Sequence, residues 1–185
     1  LVITFYLVIQ EDGLKKMFKA LVPAHYQPFV GGIFAKVQRK IVSWVKGQLV
    51  LSAVIGILSY IGLSIVGVNY ALVLAIFAAI AEFVPYAGPF IGGIVAVFFA
   101  LSQSTAKALF VVILYIIIQQ LENNILVPKV MQRAVGLNPI ISILALIAGA
   151  KLAGIPGAIF AIPIATAIDV IVKEVLHGER AGLRG

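Results

Sequence analysis

A chain of 185 residues that is 62% hydrophobic and only 11% charged has too little polar surface to cover a soluble fold; soluble domains carry roughly 45–50% apolar and 25% charged residues. With no cysteine there is no disulfide framework and no thiolate metal site, and continuous apolar runs at a mean hydropathy of +1.13 exclude a transmembrane β-barrel, whose strands alternate. An all-α, polytopic helical membrane protein remains, with a net charge of +7 to distribute between the two sides.

The first apolar run, Leu1 to Ile9, has no initiator Met and no basic leading region. It reads as the end of a spanning helix, in a C-terminal portion of a longer protein, rather than as a signal peptide. Residues 10–46 form a basic amphipathic region holding Lys15, Lys16, Lys19, Lys36, Arg39, Lys40 and Lys46. Its second stretch, from Phe29 towards Trp44, has helical apolar spacing. Such a helix either lies at the headgroup level or packs as a solvated helix on its neighbours. Residues 47–177 then predict about six membrane helices, two of them short, and 178–185 a polar tail. The first span runs from Gly47 to Val68, about 20 residues and long enough to cross. Tyr70–Phe83 and Phe90–Leu101 are each too short for a straight crossing. They fit a hairpin of short crossings, a re-entrant pair or one interrupted span. Lys107 to Val127 predicts a long helix ended by Pro128. Asn138-Pro139 opens a segment to Ala150, and Pro156 opens the last helix, where proline in the first turn is favourable.

The chemistry concentrates where the apolar pattern breaks. No charge occurs from Gly47 to Ala81 or from Phe83 to Ala106, so Glu82 stands alone between two uncharged blocks. A carboxylate kept ionised in apolar surroundings costs several kcal/mol unless it meets water, a cation or a partner. A helix C-terminus also disfavours negative charge. Glu82 therefore reads as a proton or cation acceptor in a cavity, against the plainer reading of an interfacial residue. Pro85, Gly88, Pro89, Gly92 and Gly93 follow it. Broken backbone at membrane depth survives only inside protein or along a cavity, and Gly88 and Gly92 have the small-xxx-small spacing of close helix contacts. Gln119, Glu122 and Asn123 form a polar stripe with Tyr115 one turn earlier, either a lined pathway or a helix end emerging into water. Gly157, Ala161, Ala165 and Asp169 share one face of the last helix. They make a packing seam that ends either in function or in an Asp169–Lys173 pair, with Pro163 as a candidate hinge.

No serine hydrolase elbow, zinc motif or nucleotide loop is present. No enzyme activity, cofactor, metal site or nucleic-acid partner is expected. The expected partners are the lipid bilayer and a small-molecule solute or cation. The positive-inside rule puts the basic clusters at Lys15–Lys46, Lys129/Arg133 and Lys173–Arg184, and with them the C-terminus, in the cytoplasm.

The chain resembles the AI-2E family of bacterial membrane transporters. The resemblance rests on Thr4-Phe5-Tyr6 before an acidic turn, Lys46-Gly47-Gln48, and Glu82-Phe83-Val84-Pro85-Tyr86-Ala87-Gly88-Pro89. It continues through Gln120-Leu121-Glu122-Asn123-Asn124 with Pro128, Leu137-Asn138-Pro139, and Gly154-Ile155-Pro156-Gly157 to Pro163. It implies export of an autoinducer-2-like signalling furanone across the inner membrane, in quorum sensing, by a homo-oligomer. Sodium (cation)/proton antiport is the alternative within the family. A membrane scaffold or regulator is the alternative of another class.

Overall fold

The computed structural model describes residues 23–84, 88–134 and 136–182, and every regular element among them is helical. The expectations for 1–9, for 10–22 and for Pro85 lie outside the described residues. The chain divides into two compact units. One joins Leu1–Arg39 with Val170–Gly185, and the other is Lys40–Asp169. In the first, Lys36 Nζ donates to Glu174 Oε1 at 2.6 Å. Both side chains are partly exposed, so this pair contributes at most about 1 kcal/mol.

Helix α1, Gln27–Val66, follows a 3-10 turn at Ala24–Tyr26. It does not begin at Gly47, where the sequence divides a basic region from a span. Nothing between Pro28 and Val66 breaks a helix, and Gly47 is buried within it rather than placed at a turn. Trp44, Gln48, Leu51, Ser52, Ile55, Ser59 and Leu63 are its buried stripe, at the spacing that keeps one helical face inward. The helix closes in a Schellman motif. Gly67 N–H donates to Ser64 O at 3.1 Å and Val68 N–H to Leu63 O at 3.0 Å, with Gly67 at φ +72°.

Helix α2 is Ala71–Ala81 and α3 is Gly88–Leu101. Gly92 packs on Ala78, and Gly88 on Glu82. Contacts that move outward along one helix as they move inward along the other make an antiparallel hairpin, which excludes a single interrupted span. At 1.5 Å per residue the arms are about 16 and 21 Å long, short of the roughly 30 Å hydrocarbon core. Helix α4, Thr105–Leu121, starts at an N-cap, Ser104, whose Oγ accepts from Ala106 N–H at 3.2 Å. Ile55 and Leu63 of α1, Leu74 and Ala78 of α2, Ala96 and Ala100 of α3, and Val111 and Ile118 of α4 form one buried cluster.

Pro128 does not end the fourth helix. A π-turn, Glu122–Leu126, leads into α5, Val127–Ala134, which contains it. Val127 N–H reaches back five residues to Glu122 O. The widened turn absorbs the register change that a proline without an N–H imposes.

The last element, α6, is Pro139–Gly182, capped by Asn138 Oδ1, which accepts from Ile140 N–H at 2.9 Å. Its backbone departs from helical geometry at Ala153 (φ −140°, ψ 19°) and Gly154 (φ 62°, ψ −141°). Two arms result, joined at the loop that the sequence places around Gly154. The break is there and not at Pro163, which keeps helical dihedrals, and the helix continues to Gly182 instead of ending at about 177. Gly149 and Gly157 meet across the break. Gly154→Ala should lower stability by about 2 kcal/mol through backbone strain alone. Its Cβ would meet nothing within 4 Å, so steric overlap adds nothing. Gly31→Ala, equally uncrowded but inside a helix, should raise stability by about 0.5–1 kcal/mol. Thermal unfolding of the two purified variants in one detergent checks both signs.

The exterior is built for lipid. Ile65 is 81% exposed, Phe98 72% and Leu152 87%, whereas Gln48, Ser59, Glu82, Glu122 and Thr166 are buried. Three helical stretches are long and apolar enough to cross a membrane, Ala24–Val66, Thr105–Val130 and Ile140–Glu174, the last containing the break.

Candidate functional site: a buried carboxyl pair at the hairpin tip

Glu82 caps the C-terminus of α2, and its N–H donates to Ala78 O at 3.0 Å. The last carbonyls of a helix have no partner within it. Gln48 of α1 meets this need by donating Nε2 to the Glu82 main-chain oxygen. Gly88, the first residue of α3, lies against Glu82 from the other side. A Cβ there would fall 2.8 Å from Glu82 N, and closer still to Cα and Oε2. The tip is therefore held by a side-chain amide on one flank and by the bare backbone of a glycine on the other.

Glu122 opens the π-turn after α4. Gly67 with Lys107, Gly62 with Leu114, and Ser59 with Tyr115 set α1 and α4 antiparallel. That register brings Glu122 level with Ser52, one turn beyond Gln48. The carboxyls of Glu82 and Glu122 approach closely enough to repel each other. Both residues are 0% exposed; the Gln48 amide is the polar group beside the Glu82 carboxyl, and the Glu122 carboxyl oxygens have no hydrogen-bond partner. Gln48 Oε1 and Ser52 Oγ are buried and unpartnered as well, while Tyr115 Oη lies beside Ser59. Each such group costs about 1–3 kcal/mol, and charged ones more. An arrangement this unfavourable to stability is the kind found at sites that act on a ligand or a proton.

The residues singled out from sequence do not all converge. Glu82, Gly88 and Glu122 come together. Pro89 is buried and, with Phe90, Gly93, Tyr115 and Gln119, lines an apolar groove of about 540 Å³ between α3 and α4, which neither glutamate lines. Asn123 is exposed, so the polar stripe of α4 splits: Glu122 points inward and Asn123 outward. Gly92 is covered by Ala78 and Tyr115. Gly157 and Ala161 pack on Gly149 in α6, Pro163 is buried, and Ala165 and Asp169 are half-buried further along. Among the described residues no group of three or more His, Asp or Glu is placed to hold a metal ion.

Gln48 is the residue that sequence reasoning missed as a site component. The signal was present: Gln48, Ser52 and Ser59 are the polar residues on one face of an otherwise apolar stripe. Polar residues on the buried face of a spanning helix are costly and tend to mark function.

The chain is 32% identical over 175 residues to "Putative transport protein YrrI" of Bacillus subtilis, covering 95% of this chain and 50% of that protein. It is 34% identical to "Putative transport protein YueF" of the same organism, covering 95% and 47%. It is 30% identical to "Putative permease PerM" of Escherichia coli, covering 94% and 48%. The chain thus spans about half the length of the curated relatives it matches, and no solved structure matches it. The AI-2E family transporter profile aligns with residues 1–177, and with that match over almost its whole length the chain belongs to the AI-2E transporter family.

Proposed function

We propose that the protein moves a small solute across the bacterial inner membrane, by a secondary or facilitated mechanism, as a multi-pass protein with a cytoplasmic C-terminus. Export of an autoinducer-2-like furanone is the specific form we favour. One observation carries the transport reading: two acidic side chains lie fully inside a shell of helices whose outer surface is apolar. An inert anchor has no use for such a pair, whereas a pathway needs polar groups where the bilayer offers none. The printed names of the relatives, transport proteins and a permease, support the same reading. The short α2–α3 hairpin supports it further, since its arms are shorter than the hydrocarbon core is thick, and in our reading they carry Glu82 to membrane depth.

Cation/proton exchange is the second reading. It is favoured by the presence of two buried carboxyls, with no hydrogen-bond partner on the oxygens of Glu122. The full-length protein in proteoliposomes, assayed for efflux of a furanone signal and separately for sodium flux, distinguishes the two. Glu82→Gln should cut the flux of the true cargo at least about tenfold, which is 1.4 kcal/mol in the barrier. Undiminished flux of both probes in that variant would remove Glu82 from the pathway.

A further inference from the structure

Both carboxyls lie within about one helical turn of a common level, on different helices, and among the described residues no basic group is placed to compensate them. From α1 the side chains at this level are Gln48 and Ser52, both neutral, while Lys46 is exposed. From α4 the other titratable group is Tyr115, a buried phenol beside Ser59. Lys107 is engaged at the opposite end of α4, with Gly67 O and Gln103 Oε1. Lys129 of α5 and Lys151 of α6 are exposed, and Asp169 of α6 is half-buried. From α3 comes Gly88, with no side chain. Two like charges enclosed this way cannot both persist, because each is desolvated and each raises the energy of the other. Gln48, 1% exposed, keeps Oε1 unpartnered beside Glu82. The Gln48 amide, which contacts the Glu82 side chain, can donate to a carboxylate or accept from a protonated carboxyl.

We propose that Glu82, Glu122 and Gln48 form one proton-binding site, in which the two carboxyls titrate as a coupled pair and at most one is ionised at a time. The proton resides on a carboxyl oxygen of either glutamate, and the Gln48 amide contacts the Glu82 carboxyl. Loss of the proton leaves two enclosed carboxylates that repel each other. This site deepens the transport reading by naming the coupling ion. Proton binding can nevertheless be measured without any flux, so the two can fail separately.

The test is an infrared titration of the full-length protein in liposomes, following the C=O stretch of protonated carboxyls as pH is raised. The wild type should lose this band in two separated steps, the signature of a coupled pair. Glu122→Gln should leave a single step, moved to lower pH by about one unit or more as the mutual repulsion is lifted. Glu82→Gln should likewise leave one step, and the double variant should lose both. One unresolved step in the wild type, or single variants whose remaining step does not move, overturns the pairing. Sodium chloride at constant pH should leave the wild-type band in place. If sodium removes it, the site takes a metal cation and the assignment to a proton fails. The two wild-type measurements decide the matter even where a variant does not fold.

Discussion

Gly88→Ala should lower the stability of the protein by about 3 kcal/mol, at the upper end of what overpacking of a close contact costs. The reason lies in what the new methyl would meet. The nearest atoms are Glu82 Oε2 and Cα, with Glu82 N at 2.8 Å. Two of the three are backbone, in the turn that caps α2, and cannot rotate aside as the end of a side chain would. The third belongs to one of the two buried carboxyls. The methyl therefore has to push Glu82 away from α3, which also disturbs the contact between Gln48 and the Glu82 carbonyl on its other flank. A lower thermal midpoint in detergent, together with loss of flux in proteoliposomes, is the expected pair of results. An unchanged midpoint would mean that the tip has slack and that Gly88 does not hold Glu82 in place.

The arms of α6 provide the second large effect. A Cβ on Gly157 would lie 2.8 Å from the Gly149 carbonyl carbon and 2.9 Å from Ala153 Cβ, with Gly149 O nearer still. A Cβ on Gly149 would meet Gly157 C at 2.9 Å and Ala161 Cβ at 3.0 Å. Both substitutions to alanine attack the same backbone-to-backbone contact, and each should cost about 3 kcal/mol. The double variant should cost little more than either alone. Once the arms have separated for the first methyl, the second enters space already opened, which is coupling between neighbours and not additivity. Unfolding midpoints of the two single variants and the double variant measure the coupling directly. A double variant that loses the full sum would show that the two glycines act at separate contacts.

The sequence showed local features well. The helix that ends near Glu82 and the loop around Gly154 are written in charge, Pro and Gly placement, whereas the next helix starts at Gly88 and takes in Pro89 instead of resuming at Phe90. Breaks are local events, and those residue types cause them directly. Two things were beyond that kind of reading. The first is continuity. Gly47 and Pro128 look like boundaries, but α1 buries Gly47 in its packing face and the π-turn at Glu122 carries the helix through Pro128. Whether a glycine or proline ends a helix depends on what packs beside it. The second is the meeting of Glu82 with Glu122 and Gln48. These residues lie on three elements, and helical periodicity says which face of a helix is buried without saying which neighbour it faces. Asn123 shows the limit well: it sits next to Glu122 in sequence and faces outward.

The two turns at the other end of the bundle are fastened in a different way. Asn69 N–H donates to Gln103 Oε1 at 3.1 Å, and Lys107 reaches both that same oxygen and Gly67 O. One amide oxygen and one ammonium thus bind the α1–α2 turn to the α3–α4 turn. The hairpin has a polar clasp at its base, whereas at Glu82 it is held by the Gln48 amide and the Gly88 contact. The lysine therefore marks one end of the bundle and the buried carboxyls the other.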